Sequence, residues 1–545
     1  MMKKLILLIL PILVLTFGSC TDFLNPDTDN VLDQKKYIDE ESEMYAGYIG
    51  IITKVQQIGD KAILLTDTRG EMFAPTRNTP TALYSIYNYD ADLKGNAYAD
   101  PAGYYDVIIA CNDYLYRLKK YKDANLSSVD IEHYNALVSC TLRIKSWIYL
   151  TLGKIYGKAV WLGDEPMLEK KDLAQFEEHD LDQIINDCKT ILLVGFDGIQ
   201  GNISMSWKEW LDPNTATGSS VYQWWDYMTP DYKVLTAELA LWSNEYQQAA
   251  TILLDMMNAK FNSTTSTSVD WLRNDMNTGG GKWAALWNQA GKNPYRPATV
   301  SCIVYDYSKN QTNTLLKHFD WEVPNQFLLA PSDSGMARFD APLNNLGTQT
   351  SDTRKNATFK KNSAGDFYFC KFHPNASNRS AFMDDVPIFI YRDGDLYLML
   401  AEALNNLGYY AEASALINVG VNTFLNSGNI LSDIFAPGWT MKTPLGGRAY
   451  ADKGIRGVFS LGNRTFQTGD ITAEKTKAND LAILDESMLE LTGEGKVYPM
   501  LIRIARRYGD YNIVADRVCP KYTNPDEIRA KIVNDGQYFV PWKLK

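Results

Sequence analysis

Residues 393–421 carry the pattern that most narrows what this chain can fold into. Tyr397, Leu400, Ala401, Leu404 and Leu407 fall at i, i+3, i+4, i+7 and i+10, the period of a helix face and not of a strand. Asp393 and Asp395 stand before them, where negative charge suits the start of a helix. Gly408 follows, placed to end it. Tyr410 and the run Ala411 to Val421 then predict a second helix. One helix that stops at a glycine and is followed at once by another is a hairpin, whose two apolar faces are buried against each other.

The pattern recurs. Leu235 to Leu241 and Tyr246 to Met257 form a second predicted pair, with Ala249 and Ala250 small enough to let helices approach closely. Ile131 to Tyr156 predicts a longer helix ending at Gly157. The stretch from Ala401-Glu402-Ala403-Leu404 to Glu412-Ala413 looks like a tetratricopeptide-type pair, yet no strict period of about 34 residues runs along the chain. The expectation is a mostly α fold with a degenerate tetratricopeptide-like helical core and long irregular loops. Residues 262–269 are Ser/Thr-rich, 277–281 Gly-rich and 340–366 polar. Loops on a rigid scaffold are where binding residues concentrate. No break in composition divides the chain, so 31–545 reads as one large domain.

The N-terminus reads as a leader. Lys3 and Lys4 precede an apolar run of 13 residues, Leu5 to Phe17, and Gly18 and Ser19 precede Cys20. That is the layout of a secretory signal, and the run is too short to span a bilayer. Small residues before a cysteine fit cleavage by a lipoprotein signal peptidase. Residues 1–19 are therefore expected to be removed and Cys20 to carry lipid. The polar stretch 20–30, with Asp22, Asp27 and Asp29, reads as a flexible tether. Two or more acyl chains on Cys20 suffice for a stable anchor.

A net charge of -11 and a pI of about 5.1 disfavour nucleic acid as a partner, since such proteins present a basic face. Six cysteines remain beyond Cys20, without a CxxC pair. Buried thiols packing as small apolar groups are the expectation, with one or two bridges left open.

Catalytic and metal signatures are missing from the sequence. The four histidines, His133, His179, His318 and His373, have no zinc-type spacing. Gly279-Gly280-Gly281-Lys282 fails as a phosphate loop, because Met276 and Trp283 stand where Gly and Ser/Thr are needed. There is no GxSxG elbow and no DxDxDG calcium loop. Acidic pairs such as Asp384 and Asp385 keep a glycosidase open in principle. No catalytic residue, metal or cofactor is assigned.

Aromatics are the stronger signal: 13 Trp, 33 Tyr and 20 Phe. Several cluster without helical spacing, among them Tyr84, Tyr87 and Tyr89, and Trp271, Trp283 and Trp287. Such rings are apolar plates with a polar tip, suited to the C–H face of a pyranose. Core packing is the competing role for each.

Four separated motifs resemble one family. Cys20-Thr21-Asp22-Phe23-Leu24-Asn25-Pro26 is similar to a C-x-D-F-L opening. Leu142 to Gly157 resembles a long early helix ending in Tyr-Gly. Arg392-Asp393-Gly394-Asp395-Leu396, running into Ala401-Glu402-Ala403-Leu404-Asn405, is the third. Ile483-Leu484-Asp485-Glu486, then Glu494-Gly495 and Leu501-Ile502-Arg503, is the fourth. Together, in this order, they resemble the SusD/RagB outer-membrane lipoproteins of the Bacteroidetes. Val497, Met500 and Lys145 depart from the pattern, standing where the family has Arg, Asp and Arg. The resemblance implies a non-enzymatic nutrient-binding lipoprotein on the extracellular side of the outer membrane, held there by lipid on Cys20. It implies an oligosaccharide ligand, or a peptide in some branches, delivered to a SusC-like TonB-dependent transporter. By analogy with family topology, the ligand aromatics are Tyr84, Tyr87 and Tyr89, after Asp67-Thr68-Arg69-Gly70-Glu71, and Trp271, Trp283 and Trp287. A surface glycoside hydrolase on a helical scaffold and a scaffold binding only proteins are the alternatives.

Overall fold

A computed structural model of the chain describes residues 38–167, 173–211, 222–261, 287, 298–323, 326–340, 352–373, 384–418, 454–458 and 461–542. The leader, Cys20, the tether, Trp271 and Trp283 lie outside the described residues. The principal elements begin with α1 (Glu41–Ile58), α2 (Lys61–Arg69), β1 (Phe73–Pro75) and the short α3 (Thr81–Tyr87). Two long helices follow, α4 (Ala102–Ala124) and α5 (Ile131–Tyr156). Next come β2 (Lys158–Val160), β3 (Glu178–Asp180), α6 (Leu181–Leu193), α7 (Trp207–Leu211), α8 (Tyr232–Trp242) and α9 (Tyr246–Phe261). The second half contains β4 (Thr299–Ile303), β5 (Leu329–Pro331), β6 (Phe359–Lys361), β7 (Phe367–Phe369) and β8 (Ile388–Arg392). It closes with α10 (Asp393–Asn406), α11 (Tyr410–Ile417), α12 (Ala473–Leu491), α13 (Val497–Tyr508) and α14 (Asn512–Val518).

The helices stack in sequence. α4 packs on α1 and α5, α5 on α6, α6 on α8, α8 on α9, and α9 on α10; α10 also meets α11 and α12. The fold is mostly α, as the periodicity predicts. The strands form two-stranded antiparallel ribbons, β1–β5, β2–β3, β4–β8 and β6–β7. All six cysteines after Cys20 are free and buried.

Local chemistry sets the helix ends. Asp130 caps α5 by accepting hydrogen bonds from the amides of Glu132 (3.0 Å) and His133 (3.1 Å). Gly157 ends α5 in the left-handed region, with φ +73°, and a Cβ there would run into the ring of Phe539. Gly408, with φ +88°, makes the turn between α10 and α11.

α10 is buried on every side from Asp393 to Asn405. Its apolar stripe faces neighbouring helices as the spacing predicts, but its polar residues are enclosed too. They are there because each meets a partner. Glu402 pairs with Arg503 (2.6 Å) and Arg507 (2.5 Å). Burial alone would raise the Glu402 carboxyl; the two guanidiniums overcome it and hold the group down to about 2. Asn405 donates to Asp480 (2.8 Å), and Lys496 pairs with Asp395 (2.5 Å).

The N-terminus of α10 stands in a larger buried ion cluster. Arg392 reaches Glu490 (2.8 Å) and grips both oxygens of Glu494 (2.8 and 2.9 Å). Arg354 binds Asp352 (2.7 Å), Glu486 (2.7 Å) and Glu490 (2.9 Å). Arg456 and Arg464 converge on Glu486, and Lys371 on Glu494. Glu486 and Glu490 are four apart on α12, a spacing at which like charges repel; the arginines make it tolerable. Burial would raise the carboxyls of Glu486 and Glu494, but Arg354 and Arg392, respectively, head the cations that hold them well below the usual range.

Removing one member leaves its partners charged and buried, a loss of about 3–5 kcal/mol. Arg392→Met is therefore expected to lower unfolding free energy by that amount in urea titrations. A loss under about 1 kcal/mol would place the variant among ordinary substitutions and contradict this account.

Candidate ligand face

The face begins where α2 ends. Asp67, Thr68, Arg69 and Glu71 are all buried and pinned by distant parts of the chain. Lys521 donates through Nζ to the carbonyls of Thr68 (2.8 Å), Phe73 (2.8 Å) and Gly70. Burial lowers its ammonium well below the usual lysine value. Arg517 holds Glu71 through Nε (3.0 Å) and Nη2 (2.7 Å). Gly495 N donates to Asp67 (2.9 Å).

From this base the chain extends as β1 and pairs with β5, Phe73 opposite Pro331 and Pro75 opposite Leu329. The two segments stay joined beyond the strands. Thr76 Oγ1 donates to Phe327 O (2.6 Å), Asn78 Nδ2 to Gln326 O (2.6 Å) and Thr79 Oγ1 to Leu328 O (2.6 Å). Trp321, half-buried, meets the ring of Phe327 edge-on at 5.6 Å. Tyr98 Oη contacts His318 Nε2 at 3.1 Å. Residues 76–98, 318–323 and 326–331 thus make one loop cluster carried by the helical stack.

The expected aromatics divide on this cluster. On α3, Leu83, Ile86 and Tyr87 face inward, whereas Tyr84 is 47 % exposed. Tyr87 packs on Tyr522 at 4.4 Å, with Lys521 Nζ 4.6 Å from its ring. Tyr89 is fully buried at 0 % exposure, its hydroxyl donating to Arg69 O (2.7 Å) and its ring under the Arg69 guanidinium at 4.1 Å. Trp287 is 1 % exposed, edge-on to Phe389 at 5.7 Å and beside Lys371 Nζ at 4.5 Å. Tyr87, Tyr89 and Trp287 are therefore buried in this structure, whereas Tyr84, its ring 6.0 Å from that of Tyr87, is about half exposed. Trp321, Asn78 and Lys521 were not singled out in the sequence. The partners of Asn78 and Lys521 lie hundreds of residues away, so no local spacing marks them, and Trp321 meets Phe327 six residues on, outside any helical or strand pattern.

The acidic pair kept open for hydrolysis is occupied structurally. Asp384 pairs with Lys317 (3.1 Å), and Asp385 accepts from the amide of Tyr307 (3.2 Å). Burial pushes the carboxyls of Asp67 and Asp393 up to about 7. Asp67 is held by a backbone amide, and Asp393 lies beside Arg392. Among the described residues, the His, Asp and Glu side chains that converge as metal donors are Glu41, Asp130 and His133, on elements outside this face.

No family model matches the chain, and no curated protein does. Solved structures do. A SusD superfamily protein from Bacteroides vulgatus superposes with a TM-score of 0.59 at 13% identity, covering 91% of this chain and 93% of its own. A laminarin-binding SusD-like protein gives 0.56 at 15% identity, covering 88% and 94%. NanU of B. fragilis gives 0.54 at 16% identity, covering 91% and 93%. The chain has the fold of SusD superfamily structures over nearly its whole length.

Asp67 supplies a test of the electrostatics beneath the face. Its folded value, about 7, lies above the ordinary 3.8. Its contribution to stability is thus full below pH 3.8 and is lost as pH rises through 7. Asp67→Asn removes that loss, so stability of the variant relative to wild type should increase from pH 5 to pH 8 in thermal or urea unfolding. A difference independent of pH would contradict the assignment.

Proposed function

We propose that this protein is a cell-surface lipoprotein, anchored in the outer membrane through Cys20, that captures an oligosaccharide and delivers it to a SusC-like TonB-dependent transporter without chemical conversion. The observation that carries the reading is Tyr84, an exposed ring on a hydrogen-bonded loop cluster in a fold shared with SusD superfamily structures. One of those neighbours is a laminarin-binding protein. A sugar ring stacked on Tyr84 would bury its C–H face. Trp271 and Trp283 are the further stacking residues this reading assigns to the mid-chain segment. The leader and Cys20 supply the route to the surface. The lack of a readable catalytic motif favours capture over turnover.

Binding is measured by calorimetry against a panel of neutral and acidic oligosaccharides, laminarin fragments included, and peptides. Tyr84→Ala should weaken glycan binding about tenfold, the scale of one aromatic contact. Tyr89→Phe, altered only in the core, should leave affinity unchanged. Binding of peptides alone, or turnover of a bound glycan, would overturn the reading. In cells, Cys20→Ala should release the protein from the membrane without changing its affinity in solution.

A further inference from the structure

Where α1 and α5 begin, three metal-ligating side chains from two helices converge. His133 Nδ1 lies 3.5 Å from Glu41 Oε1 and 3.7 Å from Asp130 Oδ2, and all three donor atoms are within 4.8 Å of one another. A tetrahedral zinc ion with bonds of about 2.0–2.1 Å holds its donors about 3.3–3.4 Å apart. The two edges given by His133 need only a few tenths of an ångström of closure. Tyr45 Oη hydrogen-bonds to both His133 Nδ1 (2.5 Å) and Glu41 Oε1 (2.9 Å), so it must draw back by several tenths of an ångström to free these atoms for an ion, and water or the withdrawn hydroxyl completes the shell.

The donors are held in place from behind. Asp130 is fixed through Oδ1, which caps α5, while Oδ2 is its nearest atom to the imidazole. The His133 ring lies 4.0 Å from the Trp210 indole, and Tyr45 packs against Trp207 and Trp210. Such support restricts the ligand rotamers before an ion arrives. Charge points the same way. Among the described residues, His133 is the sole cation-forming group recorded within ion-pair distance of Glu41 or Asp130. Glu40, Glu43 and Glu132 add negative charge nearby in the chain. Helix N-termini favour ionised carboxylates, which accounts for Glu41 and Asp130 but not for the imidazole of His133 between them. The Glu41 and Asp130 side chains are 39% and 42% exposed, so an ion has access from solvent.

We propose that Glu41, Asp130 and His133, with Tyr45 beside them, form a site for a divalent transition-metal ion of the zinc class, which ties the first described helix to α5. One imidazole nitrogen with carboxylate oxygens suits zinc and its neighbours in the first row better than calcium or magnesium, which take all-oxygen shells. The site is independent of the glycan reading.

The test uses the purified mature protein freed of metal by a chelator. Zinc titrated by calorimetry should bind as one equivalent and raise the melting temperature. Cobalt(II) should give the strong visible absorption of a four-coordinate site. Glu41→Gln and His133→Gln should each weaken zinc binding about tenfold or more, and Asp130→Asn should do so while keeping the helix cap. Glu41→Gln, at a partly exposed side chain, carries the test if His133→Gln fails to fold. No zinc binding up to about 100 μM, or binding of equal strength in Glu41→Gln, overturns the proposal. Neither result depends on whether the protein binds sugar.

Discussion

Arg392 holds Glu490 and Glu494 inside the protein, and much of the second half of the fold is arranged around that contact. Arginine is suited to the role because its planar fork meets carboxylates in two places and stays charged when buried. The cluster joins separate stretches of the chain: the end of β8, residues 352–354, Lys371 after β7, Arg456 and Arg464, and the C-terminal end of α12 with Glu494 beyond it. None of these groups is stable in the interior without the others. Such a cluster adds little net stability compared with apolar packing, but it admits very few alternative arrangements. Asp393 shows the limit of the design. Its Oδ2 is buried without a hydrogen-bond partner among the described residues, and burial favours its protonated form.

The cluster also gives physical meaning to two separated sequence motifs. Arg392 of the first reaches Glu494 of the second, and Glu402 of the first reaches Arg503 of the second. What looks like two signatures about a hundred residues apart is one set of ion pairs. The departures fit this picture. Val497 and Met500 are buried apolar residues, and Lys145 still finds oxygen partners, donating to Gly163 O (2.5 Å) and Asp164 (2.7 Å).

The helical core was legible because its code is local. The spacing around Tyr397, the stops at Gly157 and Gly408 and the pair at Leu235 and Tyr246 each sit within a few turns of the residues they govern. The ligand face was less so. β1 and β5 are three residues each, too short for alternation to show, and they pair across some two hundred and fifty positions. The tyrosine cluster was readable as a cluster but not as a surface. Tyr84, Tyr87 and Tyr89 look alike in sequence, and only the turn of α3 and the left-handed backbone at Tyr89 decide which ring faces out. Trp287 was open for the same reason: a tryptophan near a Gly-rich run is equally consistent with the packing on Phe389 beside Lys371 that the structure shows.

Lys521 lies near the C-terminus, yet it closes the carbonyls of Thr68, Gly70 and Phe73 at the base of the face. The loop beneath Tyr84 is therefore fixed only once the 453 positions from Thr68 to Lys521 have been made. A polypeptide truncated before this residue would contain Tyr84 but not the lysine that organises the loop beneath it. The arrangement ties the order of an early loop to a residue made far later in the chain.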